Sequence, residues 1–317
     1  MMEGSTPRQG KRKREDEEEE DFQRKESQER KRQKGEIKRR PRKQRRPMKK
    51  TVIKPETFES LYTVGEKLGE GGFGTVFAGT RVSDGLQVAI KFVRKQQNDR
   101  YVQSSVNSRS IPIEVALIEK MSEPPVKSII QLIQWFDEPE RYIVVMELFR
   151  PCMDLLDFMC SKRGFFTEKK ARHIMVQAIK AVTECHKRGV LHRDIKLENF
   201  LINTNTFEVK LVDFGCGDFF TERELNHYIG TEEFCPPEFF LSRSYHAAPS
   251  TVWSLGVFLY TMVHGYHPFT TRHEIIAGDL RFGDHLSNEV CDLIRWCLQD
   301  DPTWRPSLQQ IFGHPWF

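Results

Sequence analysis

The spacing of apolar and polar positions divides the chain into three stretches. Residues 1 to about 57 hold almost no large apolar residues and show neither a strand nor a helix period. From Leu61 to Leu148 the apolar runs are short. Leu61–Val64 and Gly74–Ala78 read as strands around a glycine turn, and Gln87–Val93 as a short buried strand. Ile129–Phe136 and Tyr142–Leu148 are again strand-like, whereas Ile113–Met121 has helical spacing. After Pro151 the period lengthens. Asp154–Cys160 and Glu168–His186 read as helices, Val252–Val263 as an apolar and hence buried helix, and Asn288–Gln299 and Ser307–Phe312 as later ones. Glu198–Ile202 and Val209–Val212 read as short strands within this helical part. No internal repeat is visible. The pattern predicts an α+β chain with a β-rich lobe carrying one main helix, followed by a larger helical lobe.

Composition sharpens the first stretch. A chain of 317 residues is long enough for two lobes with ample core. Its net charge of +4 hides an asymmetry: residues 1–50 hold 20 Lys/Arg against 11 Asp/Glu, and the remainder 29 against 34. The tail 1–57 cannot bury enough apolar surface to offset its ordering entropy, so it is expected to be disordered. Its basic clusters at 11–14 and 30–50 flank an acidic run, Glu15–Asp21. They read as a solvated polyampholyte or as an address for a nuclear import receptor, with the protein in cytoplasm and nucleus. No aromatic residues interleave them, so nucleic acid is not an expected partner. Seven cysteines without a C-x-x-C pair and a charged start point to a reduced, intracellular protein. No run approaches the roughly 18 apolar residues of a membrane span, so no membrane is expected.

Candidate chemistry begins at Gly69-Glu70-Gly71-Gly72-Phe73-Gly74-Thr75-Val76, which matches G-x-G-x-x-G-x-V. Glycines let backbone N–H groups approach phosphate oxygens. The same pattern serves dinucleotide sites, but those need a helix next, and here Thr75–Ala78 continues as a strand. A plain hairpin turn is the bland alternative. Lys91 follows in V-A-I-K. A lysine in an apolar strand is costly unless paired, and Glu114 on the next helix is the obvious partner. Further on, L-H-R-D-I-K-L-E-N-F (191–200) sets Asp194, Lys196 and Asn199 on one tight loop. Asp213-Phe214-Gly215 ends an apolar strand. Asp213 and Asn199 can offer oxygens to Mg²⁺, Asp194 can accept a hydroxyl proton, and Lys196 can offset charge on a moving phosphoryl group. Each acid alone is more often a loop cap than a ligand; the ordered set is far more specific than its parts.

Taken together, these motifs resemble the eukaryotic protein kinase family, across about 59–317. The resemblance implies a tail 1–57 and a kinase domain 58–317, with an N-lobe to about 146, a hinge 147–151 and a C-lobe 152–317. It implies catalytic roles for Asp194, Lys196, Lys91 and Glu114, and Mg²⁺ on Asn199 and Asp213. It implies ATP contacts from Leu68, Gly69, Glu70, Gly71, Gly72, Phe73, Gly74, Val76, Ala89, Lys91, Met146, Glu147, Phe149 and Leu201. Lys196 with Gly230-Thr231 looks like the serine/threonine type, and Arg305 looks like the buried partner of Glu238. Within the family the chain is similar to the Pim subfamily, through I-P-I-E-V-A-L-I-E-K (111–120), D-L-L-D-F (154–158), G-V-L-H-R-D-I-K-L-E-N (189–199), C-P-P-E (235–238), V-W-S-L-G (252–256) and L-I-R-W-C-L (293–298). That implies a monomer acting on Ser/Thr proteins with basic flanks.

Three departures stand out. Thr251 replaces an aspartate usual in kinases but also lacking in Pim kinases. The hinge Glu147-Leu148-Phe149-Arg150-Pro151 has Phe149 where Pim has a proline, which restores an N–H. Leu197, Thr261 and Tyr266 stand where Pim has acids, although Asp154, Asp157 and Glu198 remain, so a weaker basic preference is expected. Arg193 of H-R-D usually receives a phosphate. Between Gly215 and Gly230 the only hydroxyls are Thr221 and Tyr228, beside the acids Asp218, Glu222 and Glu224. Arg193 is therefore expected to be held by a carboxylate or local hydrogen bonds, with no phosphorylation needed.

Overall fold

The computed structural model describes residues 57–72, 74–104 and 109–317. The expectations for the tail before Thr57, and for Phe73, fall outside them. The chain runs through α1 (Phe58–Leu61), β1 (Tyr62–Gly71), β2 (Gly74–Arg81), β3 (Gln87–Arg94), β4 (Tyr101–Gln103), β5 (Ser110–Pro112), α2 (Ile113–Ser122), β6 (Leu132–Asp137) and β7 (Arg141–Glu147). Beyond the hinge come β8 (Cys152–Asp154), α3 (Leu155–Cys160), α4 (Glu168–Lys187), β9 (Val190–Leu191), β10 (Phe200–Asn203), β11 (Val209–Leu211) and β12 (Asp218–Phe219). Then follow α5 (Pro237–Ser242), α6 (Ala247–His264), α7 (Arg272–Ala277), α8 (Asn288–Cys297) and α9 (Leu308–Phe312).

The first lobe is a five-stranded antiparallel sheet in the order β1-β2-β3-β7-β6. Side chains alternate across a sheet, and register assigns each to a face. Val88, Ile90, Ile143 and Val145 point one way, into a cluster with Phe58 and Tyr62 that Phe92 and Phe136 complete. The opposite face carries Val76, Ala89, Lys91, Val144 and Met146, since Val76 pairs with Lys91, Lys91 with Val144 and Ala89 with Met146. Helix α2 covers part of that face with Val115 and Ala116, and beyond it Lys91 reaches Asp213 of the second lobe, across the cleft between the lobes.

The second lobe is organised on α6, whose residues 250–263 are buried all round. Its buried hydroxyls need partners. Thr251, Ser254 and Thr261 supply their own, each donating to the carbonyl four residues back at 2.8, 3.1 and 2.8 Å. Helix α4 turns one stripe inward, from Ala171 through Ile174, Ala178 and Val182 to Cys185. Among the described residues, no helix is long and apolar enough to cross a membrane.

Several boundaries differ from the sequence reading. Glu198 and Asn199 lie in a 3-10 turn, Leu197–Asn199, not in a strand, because the Asn199 N–H closes on Lys196 O at 3.1 Å. Residues 129–131 do not join β6. Ile129 turns back to Val126, and the Ile130 N–H donates to Leu211 O at 3.1 Å. Helix α6 begins at Ala247, five residues before the apolar run. The pairs β4-β5 and β9-β12 were too short to carry a period.

Candidate active site

The phosphate-type loop joins β1 to β2. Gly74 sits at φ 128°, and a Cβ there would stand 2.3 Å from Phe92 O, so this glycine is required by the fold. Gly69, Gly71 and Gly72 have open space where a Cβ would be. Packing does not demand them, and their bare backbone leaves room for an anion. Glu70 pairs with Lys67, and Leu68 is exposed.

Lys91 is buried and doubly paired. Its Nζ lies 2.5 Å from Glu114 Oε1 and 2.8 Å from Asp213 Oδ1. Tyr142 Oη donates to the other Glu114 oxygen at 2.8 Å, so the carboxylate is fixed from both sides. Burial works against the charge on Lys91, but the two carboxylates outweigh it and hold its pKa above the ordinary value. Burial likewise opposes ionisation of Asp213, yet Lys91 and the Gly215 N–H at 3.1 Å keep its pKa below the ordinary value.

Asp194 is buried, and its carboxylate collects four donors. Oδ1 accepts from the Thr231 N–H at 3.1 Å and the Thr231 hydroxyl at 2.8 Å. Oδ2 accepts from Asn199 Nδ2 at 2.8 Å and faces Lys196 Nζ at 3.0 Å. Lys196 also donates to the Thr231 hydroxyl at 2.8 Å. Against burial, these donors keep Asp194 ionised, with its pKa lowered. Asn199 Nδ2 also donates to Asp194 O at 2.7 Å. The polar atom left on that amide is an oxygen, and Asn199 O accepts the Val212 N–H at 2.9 Å, next to Asp213. Two oxygens from Asn199 and Asp213 suit Mg²⁺, which takes few protein ligands and completes its shell with phosphates and water. His192 is buried between the two acids' loops. Its Nε2 lies 3.0 Å from Val212 O, and burial lowers its pKa, keeping it neutral.

Backbone strain gathers at the same place. Arg193 and Asp213 adopt left-handed φ values of 66° and 60°, and neither is glycine. A Cβ on Gly230, at φ 136°, would lie 2.5 Å from Arg193 O, which explains the glycine before Thr231. Arg193 Nε donates to Cys216 O at 2.6 Å, and Nη2 to Gly217 O at 3.1 Å. Its Nη1 lies 3.3 Å from Asp218 Oδ2. Glu222 and Glu224, the other two acids of that stretch, are exposed.

Of the residues expected to meet adenine, Ala89 is buried, and Val76, Met146 and Leu201 are half-buried. The Glu147 carboxylate is engaged by Lys210 at 2.5 Å and the Gln131 N–H at 3.0 Å. The Phe149 N–H has no partner among the described residues. Of the three positions where acids were missing, Leu197 and Thr261 are buried and Tyr266 is exposed. Asp157 and Glu198 are exposed, and Asp154 caps α3 by accepting the Asp157 N–H at 2.9 Å. Sequence reasoning missed Tyr142 and the Thr231 hydroxyl as members of the site. Neither carries a local signal, because each acts on a residue 28 or 37 positions away in the chain.

A two-lobed fold with this cleft defines a protein kinase. The protein kinase domain family matches residues 62–317, and the chain belongs to that family. It is of the serine/threonine type and resembles the Pim subfamily. It is 41% identical over 267 residues to the serine/threonine-protein kinase pim-2 of Danio rerio, covering 82% of this chain and 86% of that protein. Identity is 37% over 263 residues to the serine/threonine-protein kinase prk-2 of Caenorhabditis elegans, covering 82% and 58%. It is 32% over 279 residues to the NUAK family SNF1-like kinase 2 of Homo sapiens, covering 85% and 43%. The family works with ATP and Mg²⁺.

Proposed function

We propose that the protein is an active serine/threonine kinase that transfers the ATP γ-phosphate to Ser/Thr hydroxyls of proteins with basic residues upstream, without phosphorylation of its own activation segment. One observation carries the reading: a hydroxyl, that of Thr231, already rests on Asp194 Oδ1 at 2.8 Å with Lys196 Nζ 2.8 Å from it. An incoming hydroxyl meets the same two groups. Asp194 orients it and takes its proton, and Lys196 offsets charge on the transferring group. Lys91, set by Glu114, holds the α/β-phosphates. Asn199 and Asp213 would hold Mg²⁺, which would supply neutralisation of the phosphate charge. Exposed Asp157 and Glu198 favour basic flanks, weakly, since exposed pairs contribute little each.

The guanidinium of Arg193 already has two carbonyls and the Asp218 carboxylate. Phosphatase-treated protein is therefore expected to phosphorylate a basic Ser/Thr peptide at the untreated rate. Loss of activity on treatment would end the phosphorylation-independent reading, and pure protein that binds nucleotide without turnover would be a scaffold. A peptide array without basic bias would remove the substrate preference.

The hinge gives a separate expectation. With its N–H open, Phe149 can donate to adenine, a bond worth about 1 kcal/mol. Phe149→Pro is expected to weaken ATP binding about fivefold. Unchanged affinity by calorimetry would show that the hinge N–H is not used.

A further inference from the structure

Asp218 has a second partner. The Oδ2 atom that faces Arg193 Nη1 at 3.3 Å also lies 2.5 Å from Nη1 of Arg100, which belongs to the other lobe. The Asp218 and Arg193 side chains are nearly buried, at 16% and 8% exposure, whereas Arg100 is 54% exposed and closes over them. Asp218 is itself fixed, because it pairs in register with Leu191, two residues before Arg193.

Arg100 is tied to α2 at its first residue. That helix has no side-chain cap, and its orphan N–H groups need acceptors. The carbonyl of Arg100 takes the Ile113 N–H at 2.9 Å. The next residue is Glu114, which holds Lys91. Helix and activation segment also touch directly, since a Cβ on Gly217 would stand 2.5 Å from Leu117 Cδ1. A continuous path thus runs from Arg193 through Asp218 to Arg100, and from its backbone to Ile113, Glu114 and Lys91.

We infer that Asp218 is a positioning residue which, through Arg100, couples the start of the activation segment to helix α2 and so holds Glu114 on Lys91. The inference rests on the kinase reading above and adds a cross-lobe tie to it. One carboxylate oxygen faces guanidinium groups from both lobes, and each contact is charge-assisted. Asp218 offsets one of the two positive charges, so it also screens the repulsion that would otherwise push Arg100 and Arg193 apart. The tie acts on nucleotide positioning, so it sets kcat and the KM for ATP, not the KM for peptide.

The experiment uses the full chain as wild type, Arg100→Ala, Arg100→Lys, Asp218→Asn and the double variant R100A/D218N. Arg100→Ala is expected to lower kcat/KM for ATP about five- to tenfold, inside the roughly two- to thirtyfold span of such coupling mutations. The peptide KM and the melting temperature should stay near wild type. Arg100→Lys, which keeps the cation, should recover most of the loss. On the Asp218→Asn background, Arg100→Ala should cost nothing further, because the path is already cut. Hydrogen exchange of the amides of 113–122 should speed up in Arg100→Ala and not in Arg100→Lys. Unchanged rate and exchange in Arg100→Ala would overturn the inference. So would an equal loss on the Asp218→Asn background, or a loss that appears only with global unfolding. If wild type shows no turnover, the kinase reading fails, and helix exchange still decides whether the tie exists.

Discussion

Replacing Asp194 by Asn is expected to lower kcat by about 10²- to 10⁴-fold, the range for removing a general base. The geometry explains why so small a change should matter. The carboxylate accepts from both groups of Thr231 on one oxygen, and from Asn199 and Lys196 on the other. An amide keeps one acceptor oxygen and turns two N–H donors toward groups that are donors themselves. The variant loses the proton acceptor and also repels Lys196 or Thr231. Steady-state kinetics with a basic Ser/Thr peptide gives the number, and nucleotide binding should persist. Transfer at more than a tenth of the wild-type rate would show that another group takes the proton.

Replacing Arg305 by Ala is expected to lower folding stability by about 3–5 kcal/mol, the cost of stranding one partner of a buried ion pair. Arg305 has a fully buried side chain and grips both Glu238 oxygens, at 2.9 and 2.7 Å. It also donates to Gln299 O at 2.8 Å and Pro249 O at 3.2 Å, and lies over the Trp253 ring at 4.9 Å. The pair joins α5, at the end of the activation segment, to the loop before α9. Arg305→Lys should rescue little, because a single ammonium cannot reproduce the fork. Urea denaturation checks both variants. A loss below about 1 kcal/mol would mean that the pair behaves like an exposed one.

Much of the site was legible in the chain because its motifs are local. Asp194, Lys196 and Asn199 fall within six residues, and one 3-10 turn brings them together. The glycine loop and V-A-I-K lie on adjacent antiparallel strands, so their approach follows from one hairpin. Strand alternation puts Lys91 and Ala89 on one face of β3, and only the β3-β7 register adds Met146 to it. The long helices were legible for the same reason: their period extends over many residues. The shorter pieces, β9 and β12 with two residues each, had no period to read.

By itself, then, the sequence determined the fold class, the order of the lobes and which residue types gather at the site, all of which depend on residue types at short spacing. Long-range choices were left to the tertiary structure. The sequence offered Asp218, Glu222 and Glu224 to Arg193 on equal terms. The β9-β12 pairing selects Asp218 and leaves the other two exposed. The sequence marked Thr231 only as a type marker, and the close approach of Gly230 to Arg193 O sets its hydroxyl on Asp194. It gave Arg100 no role, and packing across the lobes assigns one. An ion pair between residues 118 positions apart depends on how every intervening element packs, and no local pattern encodes that.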